Sequence, residues 1–172
     1  EEGSVALETM LRGICKKENF LDLFENFILF DHSNGNTSKI LARNHQYLGV
    51  NKAIKAYKAR KFNNGKLGVF WHTQGSGKSY SMVFFTKKVR RKIEGTPTFV
   101  ILTDRDELNK QISDTFENCG LLGKNIKASQ FIATSGDDLI EKLHGNPSFI
   151  FTLIQKFNKP ESTPIYPDHD IV

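Results

Sequence analysis

Only two cysteines, Cys15 and Cys119, occur in the 172 residues, and neither belongs to a Cys-x-x-Cys pair or has a histidine at ligand spacing. A disulfide framework and a patterned zinc site are thereby excluded, and a reducing compartment such as the cytoplasm is the expected setting. Long hydrophobic runs are also missing. No stretch approaches the ~20 apolar residues that cross a bilayer, and Glu1-Glu2-Gly3 is acidic where a signal peptide would be basic and then apolar, so no membrane partner is expected. Internal repeats and low-complexity tracts are lacking as well, and disorder is not the expected state of a chain that is 38% hydrophobic and 11% aromatic. The length suits one domain with a sizeable core. Charge leans one way only mildly: 24 Lys+Arg against 19 Asp+Glu give a net +5, which favours an anionic partner such as nucleic acid.

Apolar spacing predicts a first helix between Ser4 and Cys15, and a second from Asn19, capped by that residue, with Leu23, Phe24, Phe27 and Ile28 as its buried stripe. Residues 31–38 read as a polar loop. Tyr47, Val50, Ile54 and Tyr57 then step by three and four along a helix ending near Lys61, and Asn63-Asn64-Gly65 turns the chain. Residues 67–71 are a short apolar run of the kind found in strands covered on both faces. Further helices are predicted over residues 78–93, from a capping box of Asp104 and Glu107, and over residues 136–144; further strands over residues 98–102, 128–133 and 149–154. Alternating strand and helix is the rhythm of a parallel sheet with flanking helices, here an α/β domain preceded by helices.

Between the apolar run and the following helix lies His72-Thr73-Gln74-Gly75-Ser76-Gly77-Lys78-Ser79, which satisfies Gly-x-x-x-x-Gly-Lys-Ser/Thr at every position but the first, where His72 stands. A loop of this kind needs small residues so that successive backbone N–H groups can curl around phosphate oxygens at a helix N-terminus. Gly75 and Gly77 supply that freedom. Lys78 adds a charge that reaches the β and γ phosphates, and the Ser79 hydroxyl is placed to ligate Mg²⁺. Nucleotide contacts are therefore assigned to Thr73, Gln74, Gly75, Ser76, Gly77, Lys78 and Ser79, with a nucleoside triphosphate and Mg²⁺ as the cofactors and Lys78 as the catalytic cation.

The stretch Trp71 to Ser79 resembles the first helicase motif of the restriction, or motor, subunit of type I restriction-modification enzymes. Ala42-Arg43-Asn44-His45-Gln46-Tyr47, followed by Val50-Asn51-Lys52-Ala53-Ile54, resembles the segment that contributes an adenine-reading glutamine. Leu102-Thr103-Asp104-Arg105-Asp106-Glu107-Leu108 is similar to motif Ia, and Phe151-Thr152-Leu153-Ile154-Gln155-Lys156-Phe157 to the next DNA-facing motif. Together these cover about residues 20 to 157. The resemblance implies a superfamily 2 translocase with a RecA-like P-loop domain, which in the intact subunit hydrolyses ATP to pull double-stranded DNA and is fused to a nuclease that cuts it. Modification and specificity subunits are the implied partners. On this reading residues 1–40 are a helical lead-in or linker from an upstream nuclease domain, and residues 41–172 are the N-terminal part of RecA-like helicase domain 1, ending before Walker B. The first residue is not Met, and Asp170-Ile171-Val172 reads as the opening of an apolar strand, so the chain is expected to be a catalytically inactive piece of a longer enzyme. No nuclease signature accompanies the Pro167-Asp168 pair.

The resemblance also assigns Gln46, with Arg43, to adenine, for which an amide offers both a donor and an acceptor; an exposed helix glutamine is the plain alternative. Thr103, Arg105, Thr152, Gln155 and Lys156 follow strands and suit DNA backbone oxygens without reading bases. Asp104 is read as a helix cap. Lys87, Lys88, Arg90, Arg91 and Lys92 are read as a solvated helix face near a negative helix end, and His169 as solvated. Trp71 and the phenylalanines Phe24, Phe27, Phe84, Phe85, Phe116 and Phe149 are expected to pack. Phe30 is read either as core or as an adenine-stacking ring. Two other functions fit the same motifs: a different superfamily 2 DNA-dependent ATPase, or a non-catalytic nucleotide- or DNA-binding module.

Overall fold

A computed structural model describes residues 6–33, 35–157 and 171–172. The readings placed on Pro167, Asp168, His169 and Asp170 lie outside the described residues. Helices α1 (Ala6–Gly13) and α2 (Lys17–Asn26) lead into strands β1 (Ile28–Asp31) and β2 (Ser38–Leu41); α3 (Asn44–Lys58) and α4 (Lys78–Lys92) follow. Then come β3 (Phe99–Thr103), α5 (Asp106–Asn118), α6 (Gly136–His144) and β4 (Phe149–Leu153). The chain divides into two compact units, residues 1–30 with 38–88, and residues 31–37 with 89–172. No helix among the described residues is long and apolar enough to cross a membrane.

In the first unit, α3 buries Gln46, Val50, Ile54 and Tyr57, which recur every three to four residues and so fall on one helix face. Phe27 is fully buried and meets Tyr47 at 4.7 Å and Phe84 of α4 at 5.6 Å between ring centroids, so the chain before residue 40 shares a core with the P-loop helix. The sequence pattern did not reveal the pairing of β1 with β2, two four-residue strands flanking the polar loop. Asn19 is no cap: α2 begins after Lys16, and the Asn19 amide donates to the Gly13 carbonyl. Phe24 is 66% exposed rather than packed, and Phe30 is also exposed, against a place in the core. Residues 66–73 form neither helix nor strand. Val69 is 95% and Trp71 80% exposed, so the expected covered strand is instead an irregular and largely exposed run.

In the second unit, β3 and β4 pair in parallel with Phe99 opposite Phe149 and Thr103 opposite Leu153. β4 is buried almost throughout because both its faces are covered. Phe149 and Phe151 point to one side, where Phe116 of α5 meets them edge-on at 5.6 and 5.4 Å. Ile150 points to the other, into a cluster with Ala133, Leu139 and Leu143. The free edge of β3 takes Ile171–Val172 alongside it in parallel, with Val100 N–H donating to the Val172 carbonyl and Val172 N–H to the Thr98 carbonyl, both at 2.9 Å. The strand expected over residues 128–133 is instead a 3-10 turn, Ala128–Phe131, and a single bridge from Ile132 to Phe151.

Candidate functional site

The phosphate-loop residues all lie in the first unit. Gly75 and Gly77 take φ of +76° and +82°, a region that a Cβ disfavours, so the two glycines are what let the loop reverse into α4. Helix α4 starts at Lys78, with Ser81 N–H bonded to the Gly77 carbonyl. The Lys78 ammonium folds back to donate to the carbonyls of His72 at 2.7 Å and Thr73 at 3.2 Å, which parks a cation over the loop. Thr73, Gln74, Gly75 and Lys78 are exposed, while Ser76, Gly77 and Ser79 are half-buried. The Ser76 hydroxyl is closed off from solvent and has no hydrogen-bond partner among the described residues. An unused donor, an exposed cation and a glycine-formed turn at a helix start are the features a phosphate group requires, so the residues present fit a Mg-nucleotide.

Helix α3 closes the inner side of this loop. Gln46 is buried, and its amide is used at both ends: Oε1 accepts from Arg43 N–H at 2.9 Å, and Nε2 donates to the Gly77 carbonyl at 2.9 Å. It is therefore not the exposed helix glutamine of the plain alternative. A Cβ on Gly77 would lie 2.9 Å from that Nε2, a second reason for glycine there. Arg43 is exposed just before α3. One neighbour escaped the sequence reading: His45 Nε2 lies 3.1 Å from the Ser76 carbonyl, and its ring sits 4.8 Å from that of His72. The available signal was its place beside Gln46 and the presence of a second histidine where the loop pattern has glycine.

Behind the loop, α4 carries an ion pair that corrects the reading of its basic residues as a solvated face. Lys88 is buried, pairs with Asp22 of α2, donates to Asn51 Oδ1 at 2.5 Å and stands 4.9 Å from the Phe27 ring centroid. Burial opposes ionisation of Asp22, yet hydrogen bonds from Lys88, Asn26 and Asn51 outweigh it and hold the carboxyl below its ordinary range. Lys87 donates to the Ile28 carbonyl at 2.7 Å. Arg90, although exposed, donates to the Leu121 carbonyl at 3.0 Å; Arg91 and Lys92 are exposed as expected.

The candidate DNA contacts belong to the second unit, where β3 and β4 end side by side. Thr152 is fully buried, a correction that follows from strand alternation, since it shares the covered face of Ile150. Thr103 is buried too, its hydroxyl 3.4 Å from the Arg105 carbonyl. Arg105 is exposed and pairs with Asp104 at 3.5 Å; Asp104 does not cap α5, whose N-cap position belongs to Arg105. Gln155 is exposed and donates to the Asp104 carbonyl at 3.1 Å, tying the two strand-end turns together, and Lys156 donates to the Ala133 carbonyl. No group of three or more His, Cys, Asp or Glu able to hold a metal occurs among the described residues.

This geometry accords with what known proteins resemble the chain. The "Type I restriction enzyme HindI endonuclease subunit" of Haemophilus influenzae is 38% identical over 165 residues, 91% of this chain and 15% of that protein. A Methanocaldococcus jannaschii protein, provisionally named the type I restriction enzyme MjaIXP endonuclease subunit, is 33% identical over 168 residues, 94% of this chain and 15% of its own length. A second protein of that organism, provisionally named the MjaVIIIP endonuclease subunit, is 33% identical over 107 residues, 59% of this chain and 10% of its own. The chain thus spans about 15% of the length of the first two relatives. The family model described as SWI2/SNF2 ATPase matches residues 45–172, from the histidine beside Gln46 through the P-loop and both strand-end turns, and the chain belongs to that ATPase family.

Proposed function

We propose that this chain is the ATP-binding part of the DNA translocase of a type I restriction endonuclease, a motor that in the whole subunit spends ATP to draw double-stranded DNA toward a nuclease. The observation that carries the reading is the loop from His72 to Ser79, with its two left-handed glycines and the Lys78 ammonium held at its mouth by two carbonyls. Backbone N–H groups from Gly75 to Ser79 and the Lys78 cation bind the phosphates, with Lys78 exchanging loop carbonyls for phosphate oxygens. Mg²⁺, when bound, draws off phosphate charge, and the Ser79 hydroxyl is the ligand this chain offers it. Gln46 keeps a second amide N–H and a second oxygen lone pair beyond its two internal bonds, and these are the groups that would read adenine. Residues 41–172 form part of a RecA-like domain and residues 1–40 its lead-in. Arg105, Gln155 and Lys156 then line a DNA track through backbone contacts, in a cytoplasmic complex with modification and specificity subunits.

Calorimetric titration of the folded chain with Mg-ATP tests the reading. Native protein should bind, and Lys78→Ala should lose at least tenfold in affinity with an unchanged circular-dichroism spectrum, since a charged hydrogen-bond donor contributes about 1.5–3 kcal/mol. Equal affinity of the two proteins would remove Lys78 from the site.

A further inference from the structure

The first position of the loop pattern is a histidine where Gly or Ala is common, and the fold gives that histidine a partner. His72 stands between two rings, Phe70 at 4.5 Å and His45 at 4.8 Å between centroids. Phe70 in turn rests against α3 at Gly49, where an added Cβ would come within 2.1 Å of the ring. The chain of tilted ring contacts therefore begins on α3 at Gly49, passes through Phe70 and His72, and returns to α3 at His45. His45 completes the circuit by bonding to the phosphate loop itself, through Nε2 at 3.1 Å from the Ser76 carbonyl. A carbonyl oxygen only accepts, so Nε2 carries the proton in this arrangement. The next residue, Gln46, holds the next carbonyl, that of Gly77, at 2.9 Å. Two consecutive side chains at the start of α3 thus pin two consecutive carbonyls of the loop. A peptide unit whose carbonyl is tied back toward α3 turns its N–H the opposite way, away from α3, as phosphate binding requires.

We propose that His45 is a positioning residue for phosphate binding, which orients the Ser76–Gly77 peptide from α3 and is itself held by a tilted ring contact with His72. The inference rests on the nucleotide reading above and deepens it. His72 is then no defect in the motif but the ring against which the positioning ring packs.

The test compares the native chain with two variants. His45→Phe keeps a ring to pack against His72 and loses the N–H; His45→Gln supplies an amide N–H of similar reach. Each is titrated with Mg-ATP and, separately, with inorganic triphosphate, which has no base. The expected result is a loss of about three- to tenfold for His45→Phe with both ligands, the range that one neutral hydrogen bond supports, and recovery of most of that loss in His45→Gln. Native-like affinity in His45→Phe, or no gain in His45→Gln, would overturn the proposal while leaving the nucleotide reading intact; no binding by the native chain would overturn both. A long-range ¹H–¹⁵N spectrum of the native chain gives a check that needs no variant. It should show the His45 proton on Nε2, and a proton on Nδ1 alone would contradict the bond to Ser76.

Discussion

At the scale of single residues, the side chains that decide local structure are those whose polar atoms have been used up. Asp138 at the start of α6 accepts the N–H and the hydroxyl of Thr134 at 2.7 and 2.9 Å and pairs with Lys142 at 2.7 Å, while the Ser135 hydroxyl caps the Asp138 N–H. The Lys142 bond, followed by the Thr134 N–H, lowers its pKa from 3.8 to about 2. Because the folded value is the depressed one, its stabilisation is complete above the ordinary carboxylate pKa and fades as pH falls through about 2. Asp138→Asn should cost about 1 kcal/mol at pH 7, and the cost should shrink in urea titrations carried toward pH 2. A cost that held constant between those pH values would refute the assignment. Pattern alone put α6 at residues 136–144, where it lies, because its cap and periodicity are local. The burial of Thr152 was not legible, since it depends on both faces of β4 being covered by elements distant in sequence.

At the scale of elements, α2, α3 and α4 are joined by polar groups that a one-dimensional reading separates. Lys88, Asp22 and Asn51 lie on three helices, and their sequence neighbours make each look like an ordinary surface residue. Lys88→Met should leave Asp22 partly buried without its cation and cost about 2–3 kcal/mol in urea unfolding, below the figure for a fully buried pair because the Asp22 side chain keeps 22% of its exposure. Adding Asp22→Leu should recover much of that loss, as an apolar pair replaces an orphaned charge. Failure of the double variant to recover would mean that Asp22 serves its asparagine neighbours more than Lys88. Strand existence was legible where helices cover the strand, as for β3 and β4. It misled at residues 67–71, whose apolar character asks for a neighbouring strand that the described residues do not supply.

At the scale of the whole molecule, the phosphate loop and its contacts from α3 are complete within one compact unit, and the strand-end turns within the other. The turn into α4 was legible in sequence because the loop pattern places glycines at Gly75 and Gly77, where the chain takes positive φ. The grip of His45 and Gln46 on it was not, because those bonds join residues 31 positions apart. The direct measurement is a titration of ¹⁵N-labelled chain with Mg-ATP, followed through its backbone amide resonances. The account predicts that the amides from Gly75 to Ser79 shift most, with His45 and Gln46 next, and that adenosine without phosphates leaves the loop unmoved. Saturating Mg-ATP that shifted residues elsewhere, with the loop amides unchanged, would contradict it.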